Sequence, residues 1–301
     1  MGPIVKAYEF IPQIKTKYLK DVNWELCIKN LILGYFLKMV IADNMKDFTF
    51  NIKYPYFTEL ASSELFMLLI GYSVQIFADF AAYSILAIGI GGLFGYKIPI
   101  NFNYPYISMT FSEFWRRWHI SLSTFLKEYL YIPLGGNRKG SKRTYLNLFI
   151  TMTLGGIWHG AAWSYAIWGM YHGLLLCAER LFSNHAKTTV SKLYKTLKII
   201  FVFSAVTLGW LLFKLPEFSE VILYLKAMVS NDFMPDQYHL IIYILIYSTP
   251  IFLYHLLYLN SKNKFSNLVS NKNYTAVSYA MMLFFIITNY GSSDTFIYFQ
   301  F

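Results

Sequence analysis

The chain has 301 residues, of which 56% are hydrophobic, 20% aromatic and only 14% charged. A soluble domain carries roughly a quarter charged residues, so an ordinary water-exposed surface is excluded. The formal net charge of +10 lies in loops between apolar runs, a placement typical of topology control and not of a nucleic-acid partner. We therefore predict an all-α, polytopic helical membrane protein, in which each helix satisfies its own backbone polar groups.

Apolar runs of roughly 20 residues, the length that crosses the hydrocarbon core, mark the membrane spans. The predicted spans are 24–42, 65–94, 199–213, 240–259 and 275–290. The stretch 146–182 is too long for one span and barely long enough for two, and Gly155-Gly156 and Gly160 interrupt it. Half-helices or short tilted helices lining a cavity fit this stretch, because irregular backbone is tolerated at membrane depth only there.

The charges of the loops predict their orientation. The loop 115–145 carries seven basic residues and one acid, and the loops 183–198 and 261–273 are also basic. The loop 215–237 is acidic instead. By the positive-inside tendency, the basic loops are cytoplasmic, and the acidic loop lies outside together with the C-terminus.

A helix is predicted to begin at Phe111, because Thr110 and Glu113 have the spacing of a capping box. Aromatic and aliphatic residues then recur at steps of three and four as far as Leu126. This pattern indicates one amphipathic helix that lies at a membrane interface or caps the mouth of a funnel. The residues expected to share one face of it are Trp115, His119 and Ser123.

Two histidines are the candidate catalytic residues. His119 closes the run Phe114-Trp115-Arg116-Arg117-Trp118-His119, and His159 lies in Gly155-Gly156-Ile157-Trp158-His159-Gly160. An ionisable side chain at membrane depth is costly and tends to face a cavity. Since an imidazole is suited to moving a proton near neutral pH, the pair predicts chemistry inside a lipid-embedded funnel. The other histidines, His172, His185, His239 and His255, are interpreted as packing residues.

Several motifs keep the order and spacing of a known family. They are Gly2-Pro3-Ile4 and the segments 77–80, 101–106, 114–123, 129–138, 154–160 and 296–301. Together they resemble the membrane-bound O-acyltransferase (MBOAT) superfamily, in particular the bacterial branch that contains the alginate O-acetyltransferase membrane subunit. The resemblance implies a single membrane-embedded domain over residues 1–301, with an MBOAT-like funnel of short and re-entrant helices.

The resemblance also implies an activity. In that family the histidine of the Trp-His-Gly motif, here His159, is regarded as catalytic, and the upstream polar position, here His119, is the second characteristic residue. The implied reaction moves an acyl group, expected to be acetyl, from a cytoplasmic thioester donor to hydroxyls of an exported or cell-surface polysaccharide. The donor is an acyl-CoA such as acetyl-CoA, or an acyl-carrier protein, with no tightly bound cofactor and no metal.

The expected setting is the bacterial inner membrane, crossed several times. The expected partners are membrane lipid, the acyl donor on the cytoplasmic side, and periplasmic or extracellular acyltransferase or polysaccharide-export proteins. Further candidates for substrate binding are Asp79, Trp115, Arg116, Arg117 and Trp118. The two arginines could instead be interfacial anchors, and Asp79 could equally make a structural hydrogen bond to a neighbouring helix.

Two departures from the family pattern leave alternatives open. Family members carry further spans before the Gly2-Pro3-Ile4 segment, so this chain corresponds to the C-terminal part of the family fold. Ile85 stands where the family has an acid. A truncated, non-catalytic membrane scaffold of a polysaccharide-synthesis complex is therefore the alternative from another class, and D-alanyl transfer to teichoic acid is the alternative within the family. A transporter is disfavoured, because no inverted repeat is evident.

Overall fold

The computed structural model describes residues 2–182, 191–235, 238–260, 272–292 and 296. Within these ranges every regular element is a helix, which confirms the all-α prediction. The helices, numbered in chain order, are α1 Ala7–Phe10, α2 Trp24–Tyr35, α3 Asp43–Thr49, α4 Ser62–Leu93, α5 Phe111–Arg117, α6 Ile120–Leu126, α7 Gly140–Trp158, α8 Trp163–Phe182, α9 Lys192–Lys214, α10 Phe218–Ser230, α11 His239–Asn260 and α12 Lys272–Thr288. Two π-helical segments, Phe36–Ala42 and Lys127–Tyr131, extend α2 and α6.

The helices account for the predicted spans, with different bounds. In the described part of the chain, three helices are long and apolar enough to cross a membrane, namely Ser62–Leu93, Lys192–Lys214 and His239–Leu259. The predicted span 24–42 is only the first part of a helical stretch, because the π-helical segment joins α2 to α3. The predicted span 275–290 coincides with most of α12, which ends at Thr288.

The stretch 146–182 forms two helices that pack side by side, α7 with 19 residues and α8 with 20. The prediction that Gly155-Gly156 breaks this stretch is wrong, because both glycines lie within α7. A Cβ atom on Gly156 would overlap the Tyr165 carbonyl and come within 3.0 Å of Gly169. Since small residues let helix backbones approach closely in a membrane, Gly156 and Gly169 allow the close packing of α7 against α8. The chain turns only after Trp158, next to His159.

Contacts between loops place one set of helix ends together. The N–H of Ser62, at the start of α4, donates to the Asp232 carbonyl at 2.8 Å. The Asn231 amide donates to the Leu60 carbonyl, also at 2.8 Å. The acidic loop after α9 and α10 therefore lies beside the start of α4. We call this the outer end, following the loop charges.

The opposite set of ends carries the N-terminal segment. Lys17 Nζ donates to the carbonyl of Gly95, just after α4, at 2.8 Å. Lys6 Nζ forms an ion pair with Glu128 of the basic loop at 2.7 Å. The hydrogen bond to this carboxylate raises the pKa of Lys6. The basic loop 115–145 and the acidic loop thus lie at opposite ends of α4, as their charges predict, and we call this the inner end.

The long helix α4 lies at the centre of the molecule and is linked to its neighbours by buried polar contacts. Ser73 Oγ donates to Thr207 Oγ1 of α9 at 2.9 Å. Lys38, in the π-helical segment after α2, forms ion pairs with Asp43 at 2.7 Å and with Asp79 of α4 at 2.9 Å. π-Helical turns occur frequently at functional sites, and this one carries the lysine of the buried charged cluster.

Some predicted features lie outside the described residues. They are Lys187, Lys262 and Lys264 of the basic loops, Asp236 of the acidic loop, His185, and the motif 296–301 apart from Phe296.

Candidate active site

Helix α5 begins where the sequence predicts. Thr110 Oγ1 accepts a hydrogen bond from the backbone N–H of Glu113 at 3.0 Å. The Glu113 carboxylate accepts from the N–H of Met109 at 2.8 Å, so the return bond of the capping box is displaced by one residue. The N–H of Phe111 donates to the Glu179 carboxylate of α8. A negative charge at a helix N-terminus is stabilising, and this contact fixes α5 against α8.

The amphipathic helix is shorter than predicted. His119 has a left-handed backbone conformation, with φ of 43°, and it separates α5 from α6. The predicted face of Trp115, His119 and Ser123 is therefore wrong, because these residues do not lie on one continuous helix. A non-glycine residue in this conformation costs about 1–3 kcal/mol and persists only where its surroundings fix it. Such residues cluster at active sites.

Asn101 fixes the turn at His119. Its Oδ1 accepts hydrogen bonds from the N–H and the hydroxyl of Ser121, at 3.2 and 2.7 Å. Its backbone carbonyl accepts from the N–H of Ile120 at 3.0 Å, and its Nδ2 donates to Ser84 Oγ of α4 at 3.1 Å. Asn101 is only 1% exposed. Asn101 belongs to the motif 101–106, but no local sequence pattern indicates that it bonds to Ser121, 20 residues away.

The side-chain hydrogen bonds of Asn101 to Ser84 and Ser121, which we call the asparagine clamp, are expected to contribute to stability. Replacing Asn101 by alanine leaves the buried hydrogen-bonding groups of Ser84 and Ser121 without these partners, at a cost of about 1–3 kcal/mol. We expect the free energy of unfolding, measured in detergent by circular dichroism, to fall by about 2–3 kcal/mol. Asn103→Ala in the same motif is the matched control, since no hydrogen bond of its side chain is found among the described residues, and it should change stability by less than about 0.5 kcal/mol. Equal losses for the two variants would contradict the clamp.

The two candidate histidines are separated by a layer of aromatic rings. The buried His119 ring packs edge-on against Phe80, with 4.6 Å between centroids. From there, rings in contact at centroid distances of 4.9 to 5.7 Å lead to His159, in the order Phe80, Phe102, Trp118, Trp210, Trp168 and His159. The imidazoles of His119 and His159 thus lie at the two ends of this series of aromatic rings.

His159 directly follows α7 and is held by aromatic side chains. The ring centroids of Trp158, Trp168 and Phe213 each lie 5.3 Å from the centroid of His159. The three rings come from α7, α8 and α9, so the position of His159 depends on the packing of all three helices. This arrangement leaves the imidazole in an apolar setting with access to a cavity.

A cavity of about 230 Å³, which we call the inner cavity, runs from His159 toward the inner end. One stripe of α7 lines it, with residues three and four positions apart that end at His159, namely Leu148, Thr151, Met152, Gly155 and His159. At 1.5 Å per residue this stripe is about 16 Å long. The remaining lining is mostly apolar, and it includes the exposed cations Arg116 and Lys127. The cavity therefore suits an extended ligand with an apolar body and an anionic end.

A second cavity, the outer cavity, has a volume of about 360 Å³. Phe213 lines it, and the ring of Phe213 packs against His159. The lining also runs along α4 from Tyr72 to Asp79, a depth of about 10 Å at 1.5 Å per residue. Its charged residues are Lys38, Asp43, Lys46, Lys53, Asp79, Lys214 and Glu220. His159 thus lies beside the inner cavity and one ring away from the outer one.

The residues predicted to bind substrate differ in whether they line a cavity. Trp115 and Arg116 line the inner cavity together with His159. Arg117 instead forms an ion pair with Glu113 at 2.9 Å and donates to the Asn103 carbonyl at 3.0 Å. Trp118 is 1% exposed and packs in the aromatic layer. Asp79 lines the outer cavity, where it pairs with Lys38.

Residues that the sequence reasoning did not single out also belong to this region. Trp168 contacts His159 and lines the inner cavity, and Phe213 lies between His159 and the outer cavity. Lys38 and Lys214 were not predicted, although a lysine within or at the end of an apolar run was a signal available in the sequence. Among the described residues, no group of three histidine, cysteine, aspartate or glutamate side chains could hold a metal ion.

Comparison with known proteins places the chain among acyltransferases. A sequence model of MBOAT, the membrane-bound O-acyltransferase family, matches residues 1–216. The peptidoglycan O-acetyltransferase of Helicobacter pylori is 41% identical over 232 residues, covering 76% of this chain and 44% of the relative. A probable alginate O-acetylase of Pseudomonas putida is 40% identical over 217 residues, covering 71% of this chain and 43% of the relative.

More distant similarity extends to a second activity. The teichoic acid D-alanyltransferase of Bacillus subtilis is 29% identical over 226 residues, covering 70% of this chain and 57% of the relative. The chain spans 44% and 43% of the two O-acetylating relatives. The matched region contains both cavities except for the end of the outer one, near Glu220.

Proposed function

Because the chain belongs to the membrane-bound O-acyltransferase family, we propose that it transfers an acyl group from a cytoplasmic thioester donor to hydroxyls of an exported or cell-surface polysaccharide. The observation that carries the proposal is the position of His159, which lines the inner cavity and packs on Phe213 of the outer cavity. A donor entering from one side and an acceptor from the other can meet at one imidazole. The acyl group then crosses the membrane while the donor does not.

In the reaction, neutral His159 takes the proton of the acceptor hydroxyl as its oxygen attacks the thioester carbonyl. The C–O bond forms, the C–S bond breaks, and the proton passes from the imidazole to the departing thiolate. General-base help of this kind contributes about 10²–10⁴-fold to the rate. No metal and no tightly bound cofactor take part in this scheme.

The inner cavity supplies groups suited to the donor. The indole N–H groups of Trp115 and Trp168 are buried without a hydrogen-bond partner among the described residues, and both side chains line this cavity. A buried donor without a partner is costly, so a thioester carbonyl or its oxyanion is a fitting acceptor for them. Arg116 and Lys127 would attract the phosphates of acetyl-CoA or an acidic carrier protein.

His119 plays a supporting part in this scheme. It does not line the inner cavity, and Asn101 holds its turn in place. We propose that His119 hydrogen-bonds the acceptor or the developing oxyanion, which requires its ring to be reached past the aromatic layer. The bacterial inner membrane is the proposed location, and periplasmic acyltransferase or polysaccharide-export proteins are the proposed partners.

Acetyl is the proposed acyl group, because identity to the two O-acetylating relatives is 41% and 40%, against 29% to the D-alanyltransferase. The test is mass spectrometry of surface glycans from cells with and without the gene. We expect O-acetyl groups to disappear on deletion and to return on complementation. Unchanged acetylation together with lost D-alanyl esters would replace acetyl by D-alanyl, and no change in either ester would contradict the proposed function.

A further inference from the structure

A third cavity, with a volume of about 150 Å³, lies between α2, α4, α11 and α12, each of which supplies part of its lining. The lining residues of α4 form one stripe, three and four positions apart, from Phe77 to Ile88. The segment 100–102, which follows α4, completes the wall. Since α4 runs from the outer end to the inner end and Phe77 is near its middle, the third cavity lies in the half of the molecule nearer the inner end.

The lining of the third cavity is mostly apolar. The described residues that line it carry no charge. Two of its polar residues belong to the asparagine clamp, in which Asn101 Nδ2 donates to Ser84 Oγ at 3.1 Å. A third is Tyr254, whose ring stacks on that of Tyr104 with 4.3 Å between centroids. A polar ligand would find few partners here, and cavities lined by apolar side chains stay dry.

The third cavity leads from the interior to the surface of the molecule. Ala81 and Ile251 on its wall are 1% and 2% exposed, whereas Ile100 is 57% exposed. Ile88 and Met282 are half-buried. Because α4 and α11 are long and apolar enough to cross a membrane, the medium around them is lipid hydrocarbon. A lipid acyl chain is therefore the apolar group that is available to enter.

The volume fits the end of such a chain. An apolar cavity of about 150 Å³ takes up benzene, so the third cavity has room for roughly six carbon atoms. Side chains around an unfilled space lose dispersion contacts, because they have no partner atoms on one side. Hydrocarbon that fills the space restores these contacts without bringing in a polar group.

We propose that the third cavity holds the end of one acyl chain of a phospholipid from the leaflet at the inner end. The chain packs beside the hydrogen bond between Asn101 and Ser84 and keeps water away from it. A hydrogen bond is electrostatically stronger where the dielectric constant is low. The lipid thus supports the clamp that fixes the left-handed turn at His119. The proposal concerns binding alone and does not rest on acyl transfer.

The test is photolabelling of the full chain in vesicles of phosphatidylethanolamine and phosphatidylglycerol. The probe is a phosphatidylglycerol with a diazirine at the end of one acyl chain, and mass spectrometry identifies the labelled residues. We expect label on Phe77, Ala81 and Ile251, which are 3%, 1% and 2% exposed and so are closed to the surrounding lipid except through the third cavity. Met281, which is 55% exposed, should be labelled in any case.

Two variants fill the third cavity from different positions. Ile88→Phe adds volume at a half-buried site and Ala81→Leu at a buried one, and each should abolish the labelling of Phe77 and Ile251. Ile90→Phe is the matched control, because Ile90 is an exposed residue of α4 that does not line the cavity. Its labelling should equal that of the unmodified chain.

Two results would overturn the proposal. One is label confined to outward-facing residues such as Met281 in the unmodified chain, as expected if a helix of another chain covers the third cavity. The other is undiminished label on Phe77 and Ile251 in Ile88→Phe, the variant at the half-buried site, where added volume is better tolerated than in a packed core.

Discussion

Replacing His159 by alanine is expected to abolish acyl transfer while the protein still inserts into the membrane. The imidazole is the group that both the inner cavity and Phe213 of the outer cavity adjoin. Without it the acceptor hydroxyl loses its base, which costs about 10²–10⁴-fold in rate. The measurement is the O-acetyl content of surface glycans in cells that carry the variant, alongside the amount of protein in the membrane fraction.

The control for this variant is His239→Ala, since His239 is an exposed histidine at the start of α11, away from both cavities. Acetylation should be normal in that variant. His159→Gln, which keeps a polar side chain of similar size, should be as inactive as the alanine variant because an amide is not a base. Normal acetylation in His159→Ala would remove the catalytic role and leave the non-catalytic scaffold as the better interpretation.

Replacing Lys38 by methionine is expected to cause a large loss of stability. Lys38 is the partner of two buried carboxylates, Asp43 and Asp79, whose side chains are 6% and 2% exposed. Removing the cation of a buried ion pair costs about 3–5 kcal/mol, because the partner charge is left uncompensated. We expect a loss near 3 kcal/mol, the lower end of this range, because Lys38, Asp43 and Asp79 line the outer cavity and are not enclosed by protein on every side. The free energy of unfolding in detergent, followed by circular dichroism, measures it.

A compensated variant distinguishes charge from packing. Adding Asp43→Asn and Asp79→Asn to Lys38→Met removes the uncompensated charges and should recover most of the lost stability. Lys226→Met, at an exposed position, should change stability by less than about 0.5 kcal/mol. If Lys38→Met were as stable as the unmodified chain, the cluster would not be structural, and Asp79 would be freed for the substrate-binding role that the sequence suggests.

Helix positions were predictable because they depend on local features. Runs of about 20 apolar residues located the long helices α4, α9 and α11, and the Thr110–Glu113 spacing located the start of α5. The loop charges gave the relative placement of the loops. The role assigned to His159 came from a motif, and the structure adds that His159 lines the inner cavity and packs against Phe213 of the outer cavity.

The errors arose where distant residues override the local pattern. The hydrophobic periodicity through 111–126 predicts one helix, but hydrogen bonds from Asn101 fix a left-handed turn at His119. Gly155-Gly156 looks like a helix break, yet both residues lie within α7, and Gly156 packs closely against α8. Lys38 pairs with Asp79 at a separation of 41 residues, and no local sequence pattern reaches that far.

We propose that the acyl group passes at His159 from a donor at the inner end to an acceptor at the outer end. Inverted membrane vesicles test it most directly, with labelled acetyl-CoA added outside and a hexuronic-acid oligosaccharide sealed within. In these vesicles the inner end faces the added donor. We predict labelled acetyl esters on the enclosed glycan with the unmodified chain and none with His159→Ala. Equal labelling by both chains, or labelling only when donor and acceptor share one side, would contradict the claim.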